Sequence, residues 1–224
     1  MSDTSAVRSQ PDPALAPLFA PLDDALRGLA QKGQVRRYRK GTVVIEEGDR
    51  GDTLYVILAG RLRVYSASPN GREITYGVYG PGEYFGEMSL DCGVRCASVA
   101  TIESVMCSVV TRDQVHEHIS QSPEFARHLF SKLIGRARAA TLSAKNLALN
   151  DVYGRLKLLL ESMAQAQAGG EPVVGERLTH QDLANRLGCS REMISRVMKD
   201  LEQGGYVRIE ASRIVLAAAL PARW

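Results

Sequence analysis

Residues 178–216, LTHQDLANRLGCSREMISRVMKDLEQGGYVRIEASRIVL, decide the fold of the C-terminal part of the chain. Thr179, followed three residues later by Asp182, forms a near capping box, which predicts the start of a helix. Gly188 predicts a tight turn, and Ser190 is a suitable N-cap for a second helix. Two helices joined by a glycine-containing turn are typical of a helix-turn-helix motif.

The second predicted helix, residues 191–203, has two chemically different faces. At about 100° per residue, four apolar side chains fall on one side and the charged ones fall on the other. Arginine can donate two hydrogen bonds to guanine, glutamate can accept one from cytosine, and hydroxyls at helix N-termini suit phosphates. Two interpretations fit: a DNA-contacting helix, or an ordinary helical hairpin with a solvated charged face. The candidate DNA-binding residues are Thr179, Gln181, Ser190, Arg191, Glu192, Ser195, Arg196 and Lys199.

Short runs of β-branched and aromatic residues lie between residues 35 and 110. Glycine, proline, asparagine and aspartate separate these runs at regular spacing, which is typical of an antiparallel sandwich or barrel. Asn70-Gly71 predicts a hairpin, because both residues tolerate positive φ. The runs that predict strands are residues 43–45, 54–58, 62–65, 74–79 and 104–110, and a small β wing is predicted over residues 206–209 and 213–216.

From Ser122 onward the pattern becomes helical, and Pro123 suits the first turn of a helix. Apolar and small residues then recur in steps of three and four, the spacing of a coiled-coil seam over about three heptads. Two interpretations fit: a seam between two copies of the chain, or an amphipathic helix packed on its own domain. Asn150 and Asp151 suit the end of this helix and the cap of another, over residues 152–167. The candidate dimer-interface residues are Phe130, Leu133, Ile134, Ala137, Ala140, Ala144 and Leu147.

The composition predicts a globular cytoplasmic protein. Of 224 residues, 45% are hydrophobic and 24% charged, and the net charge of +3 fits nucleic-acid binding without arguing for it. No apolar run approaches the roughly 18 residues of a membrane span, so no membrane partner is expected. The N-terminus lacks the basic start and apolar stretch of a secretory signal. The four cysteines are too few for a disulfide scaffold and fit reduced thiols.

Residues 80–99, GPGEYFGEMSLDCGVRCASV, contain a second set of candidate binding residues. Gly86 lets the backbone approach an anion closely, and the neighbouring amides can form an anion-binding nest. Glu87 is an acceptor suited to a ribose hydroxyl, and Arg95 is a planar cation suited to a phosphate. By itself this set fits a nucleotide site and a surface loop with an ion pair equally well.

Residues 189–207, CSREMISRVMKDLEQGGYV, resemble the recognition helix of Crp/Fnr transcription regulators, and residues 80–99 resemble the phosphate-binding cassette of cyclic-nucleotide domains. The resemblance covers nearly the whole chain from Ala30 onward. It implies an α+β fold with an N-terminal antiparallel β jelly roll, a long dimerisation helix and a C-terminal winged helix-turn-helix. The implied divisions are a flexible tail over residues 1–20, a cyclic-nucleotide-binding-like jelly roll over 21–121, the dimerisation helix over 122–149 and the DNA-binding domain over 150–224.

The resemblance also implies partners. Arg191, Glu192 and Arg196 would contact a half-site similar to TGTGA in double-stranded DNA. A homodimer would then bind a palindrome resembling TGTGA-N6-TCACA. In relatives RNA polymerase contacts the surface that corresponds to the loop near residues 169–175, which makes the polymerase a candidate partner here.

The implied effector is a cyclic nucleotide, with cAMP as the first candidate. Gly86 and Glu87 match the pair that meets the ribose, Arg95 matches the arginine on the cyclic phosphate, and Thr141 falls near the position whose hydroxyl meets adenine. The chain departs from the cAMP-binding pattern in three ways. Cys96 replaces the usual serine or threonine, the stretch from Glu87 to Arg95 is short, and Ala140 replaces a second hydroxyl residue next to Thr141. Cyclic di-GMP, cGMP or no effector stay open as alternatives. The candidate ligand-binding residues are Gly86, Glu87, Met88, Arg95, Cys96 and Thr141.

The sequence predicts neither catalysis nor a metal site. The four histidines lie outside the strand region and form no nucleophile–base pair there. No cysteine precedes Cys92, so neither an iron–sulfur cluster nor haem is expected. Cys92 and Cys96 fit two loop thiols better than a redox or metal pair. The alternative from another functional class is a nucleotide-binding regulatory subunit that acts on a protein partner.

Overall fold

The computed structural model describes residues 15–91, 93–167 and 170–223. The predictions for the first 14 residues of the tail, for Cys92 and for Gly169 lie outside these described residues.

Within the described part, the chain separates into two compact units. One unit runs to Val64 and takes in Gly77–Lys132, and the other comprises Tyr65–Tyr76 and the chain from Leu133 onward. The division falls inside the long helix predicted from Ser122, so this helix contributes to both units.

Eight strands build the N-terminal part of the chain. They form two four-stranded sheets, in the strand orders β1-β8-β3-β6 and β2-β7-β4-β5, and the pairs β1–β8, β3–β8, β3–β6 and β2–β7 are antiparallel. This arrangement is the predicted jelly roll. The strands are β1 (Gln34–Tyr38), β2 (Val43–Ile45), β3 (Thr53–Ala59), β4 (Leu62–Ala67), β5 (Glu73–Tyr79), β6 (Tyr84–Phe85), β7 (Ser98–Thr101) and β8 (Val105–Thr111).

Apolar side chains from both sheets share one core. Ile45 and Val99 from one sheet pack in a buried cluster with Ile57 and Phe85 from the other. The ring of Tyr55 stacks on Phe85, with 4.7 Å between the ring centroids. Removing these side chains from water is the main force that holds the two sheets together.

The five sequence runs that predicted strands all correspond to strands, with Ser104 just outside β8, whereas β1, β6 and β7 were not predicted. β1 contains Gln34, Arg36 and Arg37, which are exposed, so it lacks the run of apolar residues that marks the other strands. The predicted hairpin differs in detail. Gly71 has φ +74°, but the described non-glycine residues at positive φ are Ala211 and Ser212, so Asn70 does not adopt the predicted conformation.

Seven α-helices accompany the strands in the part of the chain that the structure describes. The first of them corrects the predicted tail, because Phe19 is buried and the packed chain therefore starts before residue 20. The helices are α1 (Ala16–Phe19), α2 (Asp24–Ala30), α3 (Arg112–Gln121), α4 (Pro123–Leu149), α5 (Val152–Met163), α6 (His180–Leu187) and α7 (Arg191–Gln203).

The C-terminal part contains the predicted helix-turn-helix and wing. α6 and α7 pack through buried Leu183, Leu187, Ile194 and Met198, against a sheet of strand order β11-β12-β10-β9. These strands are β9 (Ala164–Gln167), β10 (Gly170–Val174), β11 (Val207–Glu210) and β12 (Arg213–Leu216).

Two predictions for this part are wrong. The helix predicted over residues 152–167 ends at Met163, because the following residues pair as β9 with β10. Alanine and glutamine favour helices locally, and the sheet pairing overrides that preference. The segment proposed as a loop near residues 169–175 is largely the strand β10.

Among the described residues, none of the helices is both long and apolar enough to cross a lipid bilayer.

His118 on α3 is buried between α2 and the start of α4. Its Nε2 lies 3.5 Å from the carbonyl oxygen of Ala25, and its ring centroid lies 5.2 Å from that of Phe125. Burial lowers the pKa of His118 and outweighs the carbonyl contact, which acts in the opposite direction. The neighbouring Lys32 lowers this pKa further, and Glu117 raises it.

We expect this histidine to make the protein less stable in acid. Its pKa is lower in the folded state than in the unfolded state, so below about pH 6.5 the unfolded chain binds a proton that the folded chain resists. The stabilising contribution is therefore complete above that pH and is lost as the pH falls. His118→Gln should make the free energy of unfolding, measured by urea titration, depend less on pH between about pH 5 and 6.5.

His116→Gln is the matched control, because His116 is on the same helix and exposed. It should leave the pH dependence unchanged. If the free energy of unfolding of His118→Gln varied with pH as steeply as that of the unsubstituted protein, the role assigned to His118 would be contradicted.

Candidate functional site

Arg95 is held inside the jelly roll by neutral oxygen atoms. Its side chain is buried, with 6% exposure, and Nη1 donates to Thr53 O (3.0 Å), Gly86 O (3.0 Å) and Ser89 Oγ (2.7 Å). Nη2 donates to Thr53 Oγ1 at 3.0 Å. Among the described residues, these bonds place no carboxylate against the guanidinium. A buried positive charge with neutral acceptors favours binding of an anion.

Two glycines, which have no side chain, make room for the Arg95 guanidinium. A Cβ at Gly51 would overlap Arg95 Nε, Cζ and Nη2, so only glycine permits the observed approach. A Cβ at Gly86 would lie 2.7 Å from Arg95 Nη1 and from Thr53 O. Gly86 also has φ +88°, a left-handed conformation that favours glycine. The local backbone is therefore shaped around the cation.

Three other candidate ligand residues, Glu87, Met88 and Cys96, belong to the same segment as Arg95 and differ in exposure. Glu87 opens a short 3₁₀ turn after Gly86 and is buried, whereas Met88 is 58% exposed. Cys96 is exposed, and its Sγ lies 3.6 Å from Met88 Sδ. Partial desolvation, reinforced by the negative charge of Glu87, raises the pKa of the Cys96 thiol. The thiol therefore stays protonated at neutral pH and is at best a weak donor to a phosphate.

Thr141 lies on α4 in the second unit, so the structure does not place it with the Arg95 cluster. Its hydroxyl donates to the carbonyl oxygen of Ala137 at 3.0 Å, within the same helix.

The predicted seam on α4 is largely open to solvent. Phe125 is the buried residue of this 27-residue helix, and further along it Phe130 is 64%, Ile134 50% and Leu147 46% exposed. Leu133 is half-buried, whereas the alanines at 137, 140 and 144 are exposed. An apolar stripe of this length is unusual on the surface of a monomeric protein. The sequence pattern did not include Leu142 and Leu149, which are also exposed.

The two helices of the helix-turn-helix begin with different caps. Thr179 accepts from the N–H of Asp182, and its own N–H and hydroxyl both donate to the Asp182 carboxylate, at 2.8 and 2.6 Å. The Thr179 hydroxyl is thus engaged within the protein. Ser190 Oγ accepts from Met193 N at 3.2 Å, as an N-cap. Gly188, at φ +64°, makes the turn between the helices.

The charged residues of α7 lie on its exposed face, opposite the buried one. Arg191, Glu192, Arg196 and Lys199 are all exposed. The backbone N–H of Glu192, and then the Ser190 hydroxyl, lower the pKa of the Glu192 carboxyl by hydrogen bonding. Glu192 is therefore an ionised acceptor at neutral pH. Arginine donors beside a carboxylate acceptor match the hydrogen-bonding groups of base edges in the major groove.

Two further predicted DNA-binding residues make side-chain contacts within the protein, in addition to Thr179 and Ser190. Gln181 Nε2 donates to Asn185 Oδ1 at 2.7 Å, and Ser195 Oγ lies 2.9 Å from His180 Nδ1.

Sequence reasoning missed several residues of both sites. Thr53 and Ser89 contact Arg95 but are separated from it by 42 and 6 residues, and no local pattern marks them. His180 was visible at the first position of α6, yet its distance from Ser195 along the chain hid the contact. Met193, 38% exposed on α7, was also passed over.

No group of three or more histidine, cysteine, aspartate and glutamate side chains suited to a metal ion occurs in the described part of the chain.

Comparisons with known proteins match both halves of the chain. The family model of the cyclic nucleotide-binding domain matches residues 35–122, and that of the Crp-like helix-turn-helix domain matches residues 154–219. The CRP-like cAMP-activated global transcriptional regulator of Mycobacterium tuberculosis is 32% identical over 197 residues, covering 86% of this chain and 88% of the relative. The cyclic AMP receptor protein of Thermus thermophilus is 33% identical over 177 residues, covering 79% and 80%.

A solved structure is similar as well. The c-di-GMP responsive global regulator CLP of Xanthomonas campestris has a TM-score of 0.74 and 27% identity, with coverage of 87% of this chain and 98% of that one. These relatives confirm the predicted fold class and the resemblance that residues 80–99 and 189–207 suggested.

Proposed function

The chain belongs to the Crp/Fnr family of transcription regulators, and from this membership we propose that it is a homodimer that binds specific DNA under the control of a cyclic nucleotide. The observation that carries the proposal is the buried Arg95 guanidinium, which donates four hydrogen bonds to neutral oxygens of the described residues. A bound cyclic nucleotide supplies a phosphate anion, ribose hydroxyls and a base.

The residues around Arg95 fit such a ligand. Within the described residues, the bonds to Thr53, Gly86 and Ser89 use Nη1 and one hydrogen of Nη2, so Nε and the second hydrogen of Nη2 would donate to a phosphate oxygen. Glu87, on the turn that Gly86 begins, is an acceptor for a ribose hydroxyl. Met88 and Cys96 would border the ligand on the exposed side.

We propose cAMP as the first candidate effector. Curated relatives at 32–33% identity are described as a cAMP-activated regulator and a cyclic AMP receptor protein. Cyclic di-GMP is the alternative, because the structurally similar CLP is described as responsive to that nucleotide. Cys96 offers only a weakly donating thiol, and Ala140 offers no hydroxyl. Both residues depart from the cAMP-binding pattern, which supports this alternative.

The exposed face of α7 would make the base contacts. Arg191 and Arg196 would donate to guanines, and ionised Glu192 would accept from cytosine N4. Ser190 and Lys199 are proposed to contact phosphates or adjoining bases, with weaker roles for Thr179 and Gln181, whose side chains are bonded within the protein. The proposed target resembles TGTGA-N6-TCACA. RNA polymerase is a proposed partner near residues 170–175, on family resemblance alone.

Control would act through α4. We propose that the exposed seam joins two copies of the chain, with Thr141 close to the ligand. A nucleotide that binds one arrangement of the paired helices better than another shifts the population toward it. The two recognition helices would then reach the spacing that the palindrome requires.

Nucleotide binding is tested by calorimetric titration with cAMP, cGMP and cyclic di-GMP in turn. We expect one of them to bind, and Arg95→Gln to weaken that binding by at least about tenfold, since hydrogen bonds to a charged group contribute about 1.5–3 kcal/mol. Arg50→Gln is the control, because Arg50 is an exposed arginine beside the same loop.

Heat with none of the three nucleotides, alongside tight binding to the palindrome, would contradict the effector and leave the DNA-binding function standing. Equal DNA affinity with and without a bound nucleotide would contradict the coupling alone.

DNA binding is tested with the double variant Arg191→Ala and Arg196→Ala. We expect it to lose the preference for the palindrome over scrambled DNA in fluorescence anisotropy, since each bidentate contact contributes about 1–3 kcal/mol of discrimination. Arg36→Ala with Arg37→Ala removes the same charge from exposed positions of β1 and should keep that preference. If the unsubstituted protein showed no preference for the palindrome, that result would favour the alternative function, a regulatory subunit that acts on a protein partner.

Dimerisation is tested by Ile134→Glu, which places a charge in the proposed seam. We expect sedimentation velocity to show a shift from dimer to monomer, because the charge would be buried unpaired between the helices. Leu142→Glu is the matched control. Leu142 is 57% exposed against 50% for Ile134, but it lies about 120° around the helix from Phe130. Equal effects of the two substitutions would contradict the assigned seam.

A further inference from the structure

A hydrogen bond joins the two helices of the helix-turn-helix. His180 is the first residue of α6, and its Nδ1 lies 2.9 Å from the Oγ of Ser195 on α7. Both side chains are half-buried, so water competes only partly for the contact. The bond connects residues 15 positions apart and therefore depends on the folded motif rather than on either helix alone.

Ser195 lies among the residues proposed to contact bases. Arg191 and Glu192 precede it by about one helical turn, and Arg196 follows it directly; all three are exposed. A serine hydroxyl has one hydrogen to donate and two lone pairs to accept with. A freely rotating hydroxyl can therefore bond to donors and acceptors on a base edge and discriminates little between bases.

The imidazole of His180 restricts this freedom. When Nδ1 carries a hydrogen, Ser195 Oγ accepts it with one lone pair, and the serine hydrogen and the second lone pair are left for groups on the DNA. When Nδ1 lacks a hydrogen, the serine donates to the ring, and both lone pairs are left for donors on the DNA. In each case the bond to the ring limits the directions in which Ser195 can donate or accept.

We propose that His180 is a positioning residue for base recognition, which restricts the orientation in which the Ser195 hydroxyl meets a base. This inference rests on the proposed DNA-binding function. His180 acts through Ser195 and is not required to touch a base itself.

The test measures base preference at every position of the half-site. The full-length protein, with the effector found by calorimetry where one binds, selects sites from a randomised palindromic DNA library, and sequencing gives the preference at each position. We expect His180→Phe and Ser195→Ala to relax preference at the same base pair by about fivefold each, the effect of one neutral hydrogen bond. The double variant should relax it no further.

Rescue separates this role from a purely structural one. Asparagine places an amide group close to the position of Nδ1, so His180→Asn should restore preference at that base pair. His116→Phe, an exposed histidine on α3, should leave every position unchanged. Thermal melts of all variants show that the compared proteins are folded.

Three outcomes would overturn the inference. They are an unchanged profile for His180→Phe, a loss of affinity spread evenly over all positions, and additive effects in the double variant. A protein that selects no site without any substitution would remove the proposed function and this inference with it. If the unsubstituted protein and His180→Phe selected the same site with the same base preferences, this inference alone would be removed.

Discussion

The burial of the Arg95 guanidinium determines how the proposed ligand-binding part of the jelly roll is arranged. Arg95 connects the start of β3, through Thr53, to the turn at Gly86 and Ser89, and so extends the contact that the pairing of β3 with β6 already makes. A cation removed from water must recover its lost hydration through hydrogen bonds, and the backbone here is shaped to provide them. Gly51 and Gly86 are required because any side chain there would occupy the same space. Within the described residues, the hydrogen bonds of this cation go to neutral oxygens.

The long helix α4 carries the second constraint. At 27 residues it is about 40 Å long, and Phe125, in its first turn, is its buried residue. The apolar side chains beyond that turn contribute no stability while they face water, because apolar groups stabilise a fold only when they are removed from water. A second helix against this stripe is the simplest way to satisfy them, and the heptad spacing suits it. Control by ligand and recognition of a symmetric DNA site both follow from such a pairing.

Much of the fold could be predicted because its signals are local. The apolar runs of β3 and β8, the cap at Ser190 and the turn at Gly188 depend on neighbouring residues. The failures have a different physical origin. Residues 164–167 favour a helix alone but pair with β10 in the fold, and the exposed residues of β1 are held by pairing with β8. For the candidate sites, Gly86, Glu87 and Arg95 were predicted from one loop, whereas the contacts of Thr53 and His180 exist only in the folded chain.

Both helices of the helix-turn-helix carry a carboxylate in the first turn. At Thr179 the cap donates to the Asp182 carboxylate, and at Ser190 the cap hydroxyl is hydrogen-bonded to the ionised Glu192 carboxylate. A polyanion approaching either helix start therefore meets a fixed negative charge, which offsets part of the attraction of the helix dipole. Fewer counterions are then displaced when the complex forms, so affinity depends less on ionic strength than the number of basic residues suggests. A regulator built this way tolerates changes in salt at the cost of weaker non-specific attachment, and its residence on DNA depends more on the base sequence.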